Sequence, residues 1–173
     1  MLVNCGLRCS AQTTKQDQLD RFDCRSAEQT DWLRRHARQA DARGTATTFV
    51  VTTTANDVAA FYAWSMASIT LEHLPTRLLK GAGRYPQPVA LLARLGVDIH
   101  HERQGLGAAL LRDVISRVAV LGTEIGCRGL LIHAESTDAR DFYLHLIPEF
   151  EVSPTDDLHL VLLMKDIHKS LAE

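Results

Sequence analysis

With 173 residues, 46% of them hydrophobic and 23% charged, the chain has the size and composition of one globular domain that buries a core without disulfides or metal. Its formal charge of −2 excludes a surface that traps nucleic acid everywhere, so any polyanion must be met by a local patch. No run approaches the roughly 18 apolar residues of a membrane span, and the first ten residues lack the regions of a signal peptide, so a cytoplasmic protein is expected.

Residues 1–18 show no periodicity and are expected to form a loosely ordered extension ahead of a single domain over 19–173. Ser26 followed by Gln29 is a capping-box signature, and Trp32, Leu33, His36, Ala37 and Ala40 recur at helical spacing up to a stop at Gly44. The β-branched run Thr47–Thr54, the turn residues Ala55–Asn56–Asp57 and the returning run Val58–Thr70 predict an antiparallel hairpin. Residues 73–88, with Pro75, Gly81, Gly83, Pro86 and Pro88, read as irregular.

Val89–Val97 is almost continuously apolar, as in a strand buried on both faces. Beyond it Leu111, Val114, Ile115, Val118 and Leu121 form one helical stripe, with Gly122 and Gly126 marking its end region. A short buried strand over Gly129–Ala134, a helix capped by Ser136 and running to about Leu146, and a last strand over Leu158–Met164 complete the chain. The alternation of strand and helix from Val89 onward places the chain among α/β or α+β folds.

The four cysteines, Cys5, Cys9, Cys24 and Cys127, have neither scaffold density nor paired ligand spacing, so reduced thiols are expected. Cys5 and Cys9 alone are close enough to clip an ion. The eight histidines include no H-E-x-x-H or i, i+4 pair, and no metal is expected.

The chemistry sits at the junction of Val89–Val97 with Gly105–Leu106–Gly107. A strand feeding a glycine-bearing turn into a helix presents unpaired backbone N–H groups and the positive end of the helix dipole, and glycine lets a phosphate approach. By itself this turn reads first as a tight packing corner, since short Gly-x-Gly signals are common. There is no G-x-x-x-x-G-K-[ST], and no dinucleotide fingerprint in a repeated βαβ setting.

Residues 94–110, RLGVDIHHERQGLGAAL, resemble the acetyl-coenzyme A motif of the GNAT acetyltransferases, Q/R-x-x-G-x-G/A. The resemblance implies a GNAT fold, a mixed central sheet with a splayed strand pair and flanking helices. It implies a pyrophosphate site at Arg103, Gln104, Gly105, Leu106, Gly107 and Ala108, and a pantetheine site on the strand at Leu95, Gly96 and Val97. Glu102 stands where the family has Gln or Arg, a departure that touches a side chain while the backbone amides do the binding.

Further segments, FDCRSAEQTDWLRRHA (22–37), FVV (49–51), FYA (61–63), PVALLARLGVD (88–98), RGLLIHAESTDARDFY (128–143) and SPTDDLHLVLLMKD (153–166), resemble the GNAT-type toxins of bacterial toxin–antitoxin systems. That resemblance runs from about residue 19 to 166. It implies acetylation of the amino group of aminoacyl-tRNA with acetyl-CoA as donor, a ribbon-helix-helix antitoxin, and a homodimer. It also assigns Tyr143 as the acid that protonates the departing thiolate. Ala60 replaces a usual glycine, and Leu146–Phe150 (LIPEF) is longer than the usual segment after the catalytic helix. Without the resemblance, Phe142 and Tyr143 read first as ordinary aromatic core at a helix end.

No residue pattern demands a general base. An α-amino group has a pKa of about 7.7–8.0 and a lysine about 10.4, so a weakly basic aminoacyl ester needs one less. Two stretches are locally basic: Arg34, Arg35 and Arg38 on the first helix, and Arg77, Lys80 and Arg84 in the irregular stretch. They are candidate tRNA contacts, or equally a solvated face and an exposed loop. Two other readings remain beside the tRNA one: a GNAT enzyme acting on a small amine or a protein N-terminus, and a mainly regulatory subunit of a DNA-bound antitoxin complex.

Overall fold

The computed structural model describes residues 6–172. They gather into two compact units. One holds the described residues to Ser65 together with Ala93–Asp113, and the other holds Met66–Leu92 with the residues from Val114 on. The seven-stranded sheet is mixed and flanked by helices, as the alternation of elements predicts.

The first unit is built on an antiparallel hairpin of β2 (Thr47–Thr52) and β3 (Val58–Ile69), in register from Thr47↔Trp64 to Val51↔Ala60, with a bulge before Thr52↔Val58. Its turn uses Asn56 in the left-handed region (φ 66°), a conformation that Asn tolerates, and Thr53 Oγ1 accepts from the amides of Ala55 and Asp57. Residues 6–18, expected to be loose, are instead tied down. β1 (Ala11–Gln12) pairs with β2, the Thr14 amide donates to Asp17 at 2.6 Å, and Arg38 Nη2 donates to the Asp17 carbonyl at 2.8 Å. Cys5, half of the Cys5–Cys9 pair, lies outside the described residues.

The helix expected from Ser26 to Gly44 is two helices, α1 (Ala27–Arg35) and α2 (Ala37–Arg43), separated at His36. Ser26 caps the first by accepting from the Gln29 amide, and Gly44 (φ 69°) ends the second. The core of this unit packs Leu19, Phe22, Leu33, Ala37, Val50, Val58 and Phe61. Phe22 meets Phe61 edge-on at 5.2 Å, and Trp32 stacks on Phe61 at 6.1 Å.

In the second unit β4 (Gln87–Val97, of which Gln87–Leu92 lie here) runs parallel to β5 (Gly129–His133), with register pairs from Ala90↔Leu130 to Leu92↔Ile132. β7 (His159–Leu163) is antiparallel to β5, and β6 (Glu151–Val152) to β7. The irregular stretch holds a single helical turn, α3 (Thr76–Leu79), which buries Leu78 among Ile69, Leu74, Val89, Leu131, Val161 and Leu163.

The long helix α4 (Leu106–Ile125) runs through Gly122, which was expected near its end. A Cβ at Gly122 would lie 2.2 Å from Met164 Cε, so this glycine marks a close packing contact inside the helix. The helix stops before Gly126, at φ 69°. α5 (Thr137–Leu146) begins as predicted, with Ser136 Oγ accepting from the Ala139 amide at 3.2 Å. α6 (Met164–Ala172) has no counterpart in the sequence reading, which carried the last strand into Met164. Among the described residues no helix is long and apolar enough to cross a membrane.

Candidate active site

The strand-to-helix junction lies in the first unit. At the exit of β4 the buried Asp98 organises the backbone. Its carboxylate accepts from the amides of Asp23 (3.0 Å) and His100 (2.9 Å), its own amide donates to Ala59 O, and the Ile99 amide donates to Asp23 O. Gly96 is required just before it, because a Cβ there would lie 2.8 Å from Phe61 Cε1 and 3.3 Å from Phe22 Cζ. Its role in the structure is close packing of β4 on the aromatic core, while Leu95 and Val97 stay half-buried beside it.

The turn itself carries two left-handed residues, Arg103 (φ 60°) and Gly105 (φ 76°). Arg103, Gln104 and Gly105 are exposed, whereas Leu106 is turned into the core with Leu110 and Leu111. The hydrophobic anchor fixes the start of α4 and leaves the turn facing solvent. Ala109 N finds the Gly105 carbonyl at 3.0 Å, so the amides of Leu106, Gly107 and Ala108 precede the first helical bond. A Cβ built on Gly105 meets nothing within 4 Å, so the space over the turn is open and only the backbone angle demands glycine. Open space, unpaired amides and a helix N-terminus fit a pyrophosphate.

Glu102, the misfit, forms a bidentate ion pair. Arg25 Nε and Nη2 donate to its two oxygens at 2.8 and 2.7 Å. Further along α4, Asp113 accepts from Tyr62 Oη (2.7 Å) and Ser10 Oγ (2.9 Å), fastening the first turns of the helix to β3 and to the N-terminal segment. Neither arrangement carries a signal in the sequence, since each joins residues more than 50 positions apart.

Tyr143 belongs to the second unit, on α5, and is buried while its neighbour Phe142 is exposed. Its ring meets Phe150 at 6.5 Å. The longer Leu146–Phe150 segment folds back by hydrogen bonds from Ile147 N to Tyr143 O and from Phe150 N to Ile147 O, returning an aromatic side chain to the tyrosine. Burial, and then the negative charge of Glu135, push the Tyr143 hydroxyl well above its ordinary pKa of 10. The group therefore holds its proton at neutral pH.

On the same unit His133 and His159 face each other across β5 and β7 and stack at 3.9 Å. Partial burial pushes the His133 imidazole below its ordinary value, His159 adds to this, and Asp156 opposes it. His133 is therefore neutral near pH 7.

The basic candidates divide. Arg34 donates to Phe22 O at 2.6 Å, Arg35 pairs with Asp31, Arg38 holds Asp17 O, and Arg77 pairs with Glu151 and Asp166. Lys80 and Arg84 are exposed and carry no such ion pair among the described residues. Lys80 lines a hollow of about 420 Å³ with Arg77, Arg128 and Lys165; of these four the sequence pointed only to Arg77 and Lys80.

No family model matches the chain. A tRNA-acetylating toxin of Mycobacterium tuberculosis is 38% identical over 161 residues, covering 93% of this chain and 95% of the relative. Among solved structures, AtaT complexed with acetyl-methionyl-tRNAfMet superposes with a TM-score of 0.85 at 22% identity, over 95% of this chain and 99% of that one. A tyrosine-to-phenylalanine mutant of the AtaT toxin, bound to the C-terminus of the antitoxin AtaR and acetyl-CoA, gives 0.80 at 19% identity, over 96% and 99%.

Proposed function

We propose, on the premise that this chain belongs to the family of tRNA-acetylating toxins with the GNAT fold, that Tyr143 is its general acid and the turn at Gly105 its pyrophosphate cradle. The protein is an acetyltransferase that uses acetyl-CoA to acetylate the amino group of an aminoacyl-tRNA, and an antitoxin neutralises it. Acetyl-CoA supplies a thioester, whose carbonyl is open to an amine. The amides of Leu106, Gly107 and Ala108 hold the phosphates, beside the exposed Arg103 and Gln104. The backbone of Leu95, Gly96 and Val97 is the edge offered to the pantetheine arm.

The transfer forms a C–N bond and breaks a C–S bond. The nitrogen loses one proton and the sulfur gains one. Tyr143 gives its proton to the sulfur and regains one from the nitrogen, so it ends as it began. Its raised pKa keeps the hydroxyl protonated before transfer and makes the tyrosinate left behind a strong base for the proton that the nitrogen sheds. An aminoacyl ester amine is largely neutral near pH 7 and needs no dedicated base.

In this reading the transferase domain takes in the described residues before 19 as well, since β1 pairs with β2, the antitoxin is of the ribbon-helix-helix class, the toxin is a homodimer, and it works in the cytoplasm. Lys80 and Arg84 are the tRNA-phosphate contacts we favour, since Arg34, Arg35, Arg38 and Arg77 already have partners within the chain.

The observation that carries the assignment is a buried, proton-retaining tyrosine on a capped helix, at the register of the motif, in a chain 38% identical to a tRNA-acetylating toxin. Tyr143→Phe is expected to lower kcat by about 10²–10⁴-fold, to leave acetyl-CoA affinity unchanged, and to relieve growth arrest on expression. A Phe variant as toxic as the parent removes Tyr143 from the mechanism.

A further inference from the structure

A carboxylate at Glu102 is out of place. It stands three residues before Gly105 and four before Leu106, where the anion-binding turn passes into the helix. Helix N-termini attract negative charge, so an uncompensated side-chain carboxylate there competes with a phosphate for the same amides and repels it through space. The structure answers this with a residue from a distant part of the chain. Arg25, just before the Ser26 cap of α1, occupies both oxygens of Glu102 with two donors of one guanidinium.

We infer that Arg25 is a positioning residue for acetyl-CoA, holding Glu102 neutralised and turned away from the amides so that the turn stays receptive to pyrophosphate. This rests on the reading of the turn given above and assigns a role to a residue outside the motif. The pair is not explained as a stabilising staple. The Arg25 side chain is 75% exposed, and an ion pair of that exposure contributes little to folding. Its geometry is nevertheless bidentate, which fixes orientation more than a single contact does. The segment carrying Arg25 is held close to the junction by the bonds between Asp23 and Asp98 and between Ile99 and Asp23, so the guanidinium is delivered by a fixed backbone.

The test is a double-mutant cycle read by calorimetric binding of acetyl-CoA, which needs no acceptor and no catalysis. Arg25→Ala frees the carboxylate and is expected to weaken acetyl-CoA on the order of tenfold, the repulsion between one carboxylate and a doubly charged pyrophosphate at side-chain distances in water. Adding Glu102→Gln removes the charge and restores affinity to within about twofold of the parent. In transfer assays the loss enters KM for acetyl-CoA with kcat unchanged, and it shrinks at high salt. Acetyl-pantetheine, which lacks the pyrophosphate, shows no difference between parent and Arg25→Ala as a donor.

Parent-like affinity in Arg25→Ala overturns the inference. So does an Arg25→Ala/Glu102→Gln variant as weak as Arg25→Ala alone, because that pattern belongs to lost folding or a direct arginine contact. If the parent binds acetyl-CoA but acetylates no charged tRNA, the fault lies in the tRNA reading and not in Arg25.

Discussion

At the residue scale, two glycines that the resemblance assigns to the cofactor site do different work. Gly105 faces open space and is held by its left-handed angle, whereas Gly96 faces the ring of Phe61 at a distance no Cβ tolerates. Gly96→Ala is therefore expected to destabilise the fold by about 1–3 kcal/mol through overpacking, seen as a lower urea midpoint with an unchanged m-value. Gly105→Val, strained in the backbone and unobstructed in space, is expected to weaken acetyl-CoA binding more than it lowers stability. The family resemblance made both positions legible in the sequence, Gly105 through the motif and Gly96 through the strand before it. The reason for Gly96 was not, since Phe22 and Phe61 are brought to it by the fold. Arg25 and Glu102 were invisible for the same cause: 77 positions separate them, and only the backbone ties between Asp23, Asp98 and Ile99 make them neighbours.

Elements were legible where a local signal fixed them. Ser26 and Ser136 cap their helices as their sequences predict, and the β2–β3 hairpin follows from β-branched runs around Asn56. Ser136→Ala is expected to cost about 1 kcal/mol in chemical unfolding and, because α5 carries Tyr143, to lower kcat as well. Local signals failed where tertiary contacts decide. The break at His36 leaves the stripe of apolar residues intact, and β1 is only two residues long, held by pairing to β2. α6 was missed although Ile167 and Leu171 stand four apart after Asp166 in its first turn, because the apolar run before it ended at Met164.

The stacked His133 and His159 give the second unit a pH dependence of predictable sign. His133 titrates lower in the folded chain than the ordinary value of 6.5, so the unfolded chain binds the proton first. Its contribution is present above about 6.5 and is lost as pH falls through the lower folded value. Urea midpoints of the parent are expected to decline as pH falls below about 6.5, and His133→Gln to flatten that decline. An equal slope in both proteins contradicts the assignment.

At the scale of the whole molecule, a chain of net charge −2 must bind a tRNA through a few cations and not through its overall field. Of the candidates the sequence offered, Arg34 and Arg38 are engaged with backbone carbonyls and Arg35 and Arg77 with carboxylates, which leaves Lys80 and Arg84. Replacing each with alanine is expected to reduce the slope of log affinity for tRNA against log salt by about one. The class of fold was readable from the order of strands and helices. The nature of the acceptor was not readable from any residue of the site; it came from kinship along the length of the chain.

The most direct measurement is incubation of the protein with acetyl-labelled acetyl-CoA and a full set of charged tRNAs, followed by release of the amino acids from the RNA and detection of the label. Label is expected on the α-amino group of at least one aminoacyl moiety, and none when Tyr143→Phe replaces the parent or when the tRNAs are deacylated. Label absent from every charged tRNA, with transfer to free amines intact, would contradict the tRNA reading.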